Sequence, residues 1–254
     1  MPLKNLFIIL IAYSCAFTTS VGQNKKPASG EDESKKILFV GNSYTGGIRK
    51  AVIQLIKASP HSDTQLTFIN PGGKTLAFHL GNKTTVEKIQ RGEFDFVVLQ
   101  DQSQTPAIFP EKFKKAAVGL DKVIDQSGAQ TVFYQTWGRR DGDKQNSKMF
   151  PDYASMQKTL SKSYADAAKT CKATLAPVGD TWSAVRKKDS KLGLALYQKD
   201  GSHPSNKGAY LAACVFYATF FEEDPRKLAF IGGLSEAEAK LIRELASKHS
   251  FSRR

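Results

Sequence analysis

Three cysteines in 254 residues are too few for a disulfide framework. Cys15 falls in an N-terminal stretch that reads as removable. That leaves Cys171 and Cys214, each in an apolar helical pattern where a buried free thiol is the expected state. The four histidines are scattered at His61, His79, His203 and His249, and no C-x-x-C or H-E-x-x-H spacing occurs, so neither a dedicated metal site nor a cofactor is expected. No apolar run is long enough to serve as a stable membrane anchor. Nucleotide signatures are missing too. There is no G-x-G-x-x-G, and Gly73-Lys-Thr75 resembles the end of a phosphate loop, but Phe68 stands where its first glycine belongs. The G-x-S-x-G elbow of α/β-hydrolases is also absent. The formal charge of +13 comes from scattered lysines without the interleaved aromatics or motifs of a nucleic-acid reader, so a solvated basic surface is expected and nucleic acid is not a partner.

At the N-terminus, Lys4 precedes a short apolar run over residues 6–13, and small and polar residues follow up to Gly22. This is the plan of a secretory signal peptide over residues 1–22, which predicts a secreted or periplasmic protein with no stable membrane insertion after cleavage. Residues 23–36 are rich in Lys, Ser, Glu and Asp and read as a flexible linker. Residues 37–250 carry the folded domain.

In that domain short apolar runs alternate with helical patterns. Strands are expected at residues 37–40, 66–69, 94–99, 131–134 and 174–178. Helices are expected over residues 46–58, 76–89, 111–126, 152–171, 206–221 and 236–248, with a helical turn at 182–188. Strict alternation predicts an α/β fold, a three-layer α/β/α sandwich with a central parallel sheet of about five strands. In such a sheet the loops at the carboxyl ends of the strands collect on one edge. Those loops carry Gly41-Asn-Ser43, Pro71-Gly-Gly73, Gln100-Asp-Gln102 and Gln135-Thr-Trp137.

Ser43 follows the first strand, where a serine gains from nearby backbone N–H groups but still needs a base. On Gly41-Asn42-Ser43 alone, a helix cap is the better reading. Asp200-Gly-Ser-His203 changes the balance, because a carboxylate three residues before a histidine reaches its ring within one loop and makes a base of it.

Gly41-Asn-Ser43 after the first strand, with Asp200-x-x-His203 before the last major helices, resembles the SGNH (GDSL-like) hydrolase superfamily, whose sheet is flavodoxin-like. The likeness in element order spans nearly the whole domain, and its specific content is these two blocks. The resemblance implies Ser43 as nucleophile with Asp200 and His203 as its triad partners. It implies oxyanion donors at the Ser43 N–H, at Gly73 (or Gly72) and at the third block. There the family's Gly-x-Asn-Asp reads Gln100-Asp-Gln102, which makes Gln102 the expected donor and Gln100 the other candidate and marks a divergent branch. Trp137 reads either as a substrate wall or as core, and His79 as structural. Asn82-Lys-Thr84 matches a glycosylation sequon.

The resemblance implies a carboxylic ester hydrolase without a cofactor. The polar loop over residues 138–147, with Arg139 and Arg140, suits a small acyl (acetyl) group on a carbohydrate or polysaccharide better than a lipid tail. A non-catalytic carbohydrate-binding protein on the same scaffold is the rival reading, and a lipase or lysophospholipase a third.

Overall fold

The computed structural model describes residues 34–251, so the expected signal peptide and nearly all of the expected linker lie outside the described residues. The chain runs β1 (Lys36–Val40), α1 (Ser43–Lys57), β2 (Gln65–Ile69), α2 (Leu76–Gly81), α3 (Lys83–Gln90), β3 (Phe96–Leu99), α4 (Thr105–Ile108), α5 (Pro110–Gln126) and β4 (Gln130–Tyr134). It continues with α6 (Tyr153–Cys171), β5 (Thr174–Ala176), α7 (Val178–Lys188), α8 (Ser190–Ala195), α9 (Asn206–Phe221) and α10 (Glu236–Phe251).

All five strands are parallel, in the order β2-β1-β3-β4-β5. Apart from their first residues, β1, β3 and β4 are buried, which is why they read as continuous apolar runs rather than alternating ones. Their side chains still alternate between two cores. Ile37, Phe39, Val98, Val132 and Tyr134 face a cluster built with α1, α7, α9 and α10. Leu38, Val40, Val97, Leu99 and Phe133 face a second cluster built with α2, α3, α5 and α6. The expected three-layer α/β/α sandwich with five parallel strands is therefore the fold.

The differences from the sequence expectation are local. The first helix starts at Ser43, three residues before its apolar pattern, because the polar Asn42 caps it. The helix expected over 76–89 breaks at Asn82, whose side chain accepts the Thr85 N–H and starts α3. β5 stops at Ala176, and α7 begins at Val178 directly after Pro177, which cannot donate to a strand ladder. Cys171 and Cys214 are free thiols, and burial raises both to about 12.

This topology decides where a site can form. With every strand parallel, the four glycine- and glutamine-bearing loops share one edge. The chain leaves β1 toward β2 and leaves β3 toward β4, in opposite directions across the sheet. Loops that part in this way open a crevice between the carboxyl ends of β1 and β3. Gly41-Asn-Ser43 and Gln100-Asp-Gln102 border it.

Candidate active site

Ser43 is the first residue of α1. The preceding turn is held by side chains rather than by an unusual backbone. Asn42 Oδ1 accepts the Tyr44 N–H at 3.1 Å, while Asn42 Nδ2 donates to the Lys74 carbonyl at 2.8 Å. One asparagine thus caps α1 and ties the Gly72-Gly73 loop beside Ser43. Gly41 is required for space, since a Cβ there would overlap Thr45 Oγ1 and the Gln100 amide oxygen. At the first position of a helix the Ser43 N–H has no intrahelical acceptor, and it points out of the positive end of the dipole.

His203 and Asp200 stand on the loop before α9. Asp200 divides its two oxygens between backbone and ring. Oδ1 accepts the N–H groups of Ser202 at 2.9 Å and His203 at 3.0 Å, which shapes the turn. Oδ2 lies 2.6 Å from His203 Nδ1. A carboxylate only accepts, so Nδ1 carries the proton and Nε2 presents its lone pair. That Nε2 lies 2.9 Å from Ser43 Oγ. Partial burial acts to raise the Asp200 carboxyl, but the His203 ring and the two backbone N–H groups outweigh it and hold the group below the usual carboxylate range. The side chains of His203 and Asp200 remain 36% and 46% exposed, so the cluster opens to solvent.

Aromatic rings buttress this loop. Tyr44 stacks on Trp137 at 4.9 Å, Trp137 stacks on Trp182 at 4.0 Å, and the His203 ring meets Tyr44 edge-on at 5.3 Å. The Trp137 indole N–H donates to the Ser202 carbonyl at 3.0 Å, and the Tyr44 hydroxyl lies 2.7 Å from Ser202 Oγ. Trp137 is 0% exposed, which corrects its reading as a substrate wall. It acts on the site through the Ser202 carbonyl that it holds and through Tyr44, on which it stacks.

The third block also differs from expectation. Gln100, the other candidate oxyanion donor and so a candidate for substrate contact, is fully buried. Its Oε1 accepts from the Asn42 N–H at 3.0 Å, the Thr45 N–H at 3.3 Å and the Thr45 hydroxyl at 2.9 Å, and its Nε2 donates to the Asp101 carbonyl. Gln100 is therefore the brace under the Ser43 turn and not a substrate contact. Gln102, the expected oxyanion donor, spends its Oε1 on the N–H groups of Gln104 and Thr105, capping α4. Its Nε2 has long contacts with Ser103 Oγ at 3.5 Å and Gln104 Oε1 at 3.4 Å, and no hydrogen bond joins it to Ser43 among the described residues. Gly73 adopts φ +69 on an exposed turn.

Two buried groups support this edge from below. Asp101 Oδ1 accepts the Leu76 N–H at 3.1 Å and the Gln102 N–H at 2.6 Å, linking the loops after β2 and β3, while Oδ2 is buried without a hydrogen-bond partner among the described residues. Burial raises its carboxyl to about 6. His79 Nε2 lies 2.8 Å from the Gly41 carbonyl, to which its N–H donates, and burial lowers its pKa. The structural reading of His79 matches this position. Asn42, Tyr44 and Ser202 are the residues that sequence reasoning passed over. Asn42 alone carried a signal, as a cap-forming residue directly before a helix.

Neither the family models nor the curated proteins include a match to this chain. Among solved structures, a Slackia heliotrinireducens protein described as an SGNH hydrolase is 30% identical, with TM-score 0.63 over 73% of this chain and 98% of its own. A DUF4886 family protein from Bacteroides uniformis is 17% identical, with TM-score 0.74 over 87% of this chain and 97% of its own. A catalytic mutant of an acetylxylan esterase from Geobacillus stearothermophilus is 14% identical, with TM-score 0.53 over 73% of this chain and 93% of its own. A parallel three-layer sandwich with a serine–histidine–aspartate chain at its switch point defines the class as an SGNH-type α/β fold. With the Slackia protein at 30% identity over nearly its whole length, the chain belongs to the SGNH hydrolase superfamily.

Proposed function

We propose that this protein is a secreted serine ester hydrolase that removes small acyl groups, acetyl above all, from a carbohydrate. The observation that carries the reading is the chain Ser43 Oγ to His203 Nε2 at 2.9 Å and His203 Nδ1 to Asp200 Oδ2 at 2.6 Å. The ester carbonyl lies against Ser43 and the N–H groups of Ser43 and Gly73. Ser43 Oγ attacks the carbonyl carbon as His203 Nε2 takes its proton. Asp200 holds the imidazole in its reactive tautomer and stabilises the imidazolium. The oxyanion faces the two backbone N–H groups and the positive end of α1. Collapse expels the alcohol, which takes the proton from His203, and water then releases the acyl group from Ser43 by the same steps in reverse. Turning the Gln102 amide toward the oxyanion would break the cap of α4, so it has no place in this scheme. The acetyl preference is supported by the polar loop after β4 and by the acetylxylan esterase among structures of the same fold.

The rival reading, a carbohydrate-binding protein without turnover, draws support from the Gln102 amide oxygen, which is bonded within its own loop to the N–H groups of Gln104 and Thr105. Hydrolysis of p-nitrophenyl acetate decides between them. The wild-type protein is expected to turn it over, and Ser43→Ala to lose activity on the order of 10⁶-fold. Equal rates for the two proteins would remove the enzyme reading. Secretion is read separately: the mature protein is expected to begin near Gln23 by intact mass.

A further inference from the structure

We infer that the hollow between the loop after β4 and the Asp200 loop is a subsite for a negatively charged group on the saccharide that carries the ester. The inference rests on the ester-hydrolase reading and adds a substrate class to it. The hollow has a volume of about 280 Å³, and its lining includes Arg139, Arg140, Asp141, Lys144, Lys199 and Asp200. That is room for a sugar unit rather than a long acyl chain. Asp200 and Ser202 belong to this hollow and to the loop that carries His203. A sugar seated here is therefore a neighbour of the ester at Ser43.

The two loops are locked together, which gives the hollow a fixed shape. The Arg140 N–H donates to the Gly201 carbonyl at 2.8 Å, and the Tyr197 hydroxyl donates to the Gly138 carbonyl at 2.9 Å. Arg140 packs beside Gly201, where an added Cβ would make ordinary contact, 3.4 Å from Arg140 Cβ and 3.5 Å from Arg140 Nη2. Gly201 adopts φ +68, and it is this backbone conformation that demands glycine.

The cations are not equivalent to the scattered surface lysines. Arg139 Nη1 donates at 2.9 Å to Asp143, a residue with no exposed surface. The Asp143 carboxylate also accepts from Gln104 Nε2 at 2.6 Å, Asn146 Nδ2 at 2.8 Å and the Gln145 N–H at 3.2 Å. Burial alone would raise its carboxyl, but the hydrogen bonds from Gln104 and Asn146 and the Arg139 charge hold it below the ordinary range. An arginine pinned from beneath by such a buried carboxylate is preorganised, which lowers the entropy cost of binding an anion. Arg140 is fixed on Asp141, with Nε and Nη2 both at 2.9 Å. Lys144 and Lys199 have no carboxylate partner among the described residues. Asp141 is paired with Arg140, and Asp200 keeps its charge beside the neutral His203 ring, so four cations meet the two lining carboxylates and the buried Asp143 beneath, which leaves a positive surplus of one. A uronate carboxylate and a sulfate ester share the chemistry that this surplus selects.

The test compares acetylated oligogalacturonate with acetylated xylo-oligosaccharide of equal length. The anionic substrate is expected to show a kcat/KM about tenfold higher at low salt, and added sodium chloride should shrink that ratio. Lys144→Glu/Lys199→Glu is expected to bring the ratio to one or below through KM for the anionic substrate. Lys115→Glu/Lys122→Glu makes the same charge change on α5 and should keep the ratio. Equal kcat/KM values in the wild-type protein, or a ratio that survives the first double variant, overturn the inference. Calorimetry on Ser43→Ala reads the hollow without turnover, using de-esterified oligogalacturonate and sulfated xylo-oligosaccharide as probes. Salt-sensitive binding of either, lost on adding Lys144→Glu/Lys199→Glu, supports the subsite even where p-nitrophenyl acetate is not hydrolysed. Absent binding of both alongside normal p-nitrophenyl acetate turnover leaves the hydrolase and removes the subsite.

Discussion

The indole N–H of Trp137 donates to the carbonyl oxygen of Ser202 at 3.0 Å, one residue before His203. A fully buried tryptophan in the loop after β4 thereby sets the backbone that presents the histidine. Its ring is clamped between Tyr44 and Trp182.

Trp137→Phe keeps an aromatic ring in the stack and deletes the donor. The expected stability loss is about 1–2 kcal/mol by chemical denaturation. The kcat on p-nitrophenyl acetate should fall about tenfold with KM little changed, because a displaced histidine damages reaction geometry rather than binding. An unchanged kcat would show that the Ser202 carbonyl does not need this bond to position His203.

Gln100→Leu tests the brace under Ser43. The substitution has nearly the right volume, but it leaves the Asn42 N–H, the Thr45 N–H and the Thr45 hydroxyl without their buried acceptor. Urea denaturation is expected to show a loss of about 2–4 kcal/mol. A loss well under 1 kcal/mol would mean that water replaces the amide oxygen.

Gln102→Ala separates a cap from an oxyanion donor. Loss of the α4 cap costs about 1 kcal/mol of stability, and kcat should stay within about tenfold of wild type. Removal of an oxyanion-hole donor typically costs about 10²–10³ in kcat. A drop of that size would return Gln102 to the oxyanion site.

Asp101 imposes a pH dependence whose sign follows from its environment. Its folded value of about 6 lies above the ordinary 3.8, so the folded state favours the protonated form. Stability from this group is full below about pH 4 and is lost as pH rises through about 6. The gap corresponds to about 3 kcal/mol. Asp101→Asn keeps an oxygen for the Leu76 and Gln102 N–H groups and does not titrate. The wild-type-minus-variant difference in unfolding free energy should therefore fall by about 2 kcal/mol between pH 4 and pH 7. A flat difference across that range would place the Asp101 carboxyl at its ordinary value.

The features legible in the sequence are those whose causes are local. Apolar runs of four or five residues mark strands buried on both faces, and alternation with helices implies a parallel sheet. Asp200 and His203 are three residues apart, so their pairing is a property of one turn, in which Asp200 Oδ1 binds the backbone and Oδ2 the ring. Ser43 was legible only jointly with them, since by itself it looked like a helix cap, a task that falls to Asn42.

What the tertiary structure decided are side-chain orientations set by partners distant in sequence. Trp137 is core rather than substrate wall because Tyr44 and Trp182 close on its two faces, and nothing in its own neighbourhood encodes those contacts. Gln100 and Gln102 sit two residues apart with the same side chain. Gln100 turns inward to the donors of the Ser43 turn, and Gln102 turns along the chain to cap α4. An amide side chain satisfies its hydrogen bonds wherever donors converge. The sequence by itself determined the sheet, the serine and the Asp200-x-x-His203 turn, because periodicity and short spacing carry them. Packing across the switch point decided which polar side chains at that edge face solvent and which brace it from below.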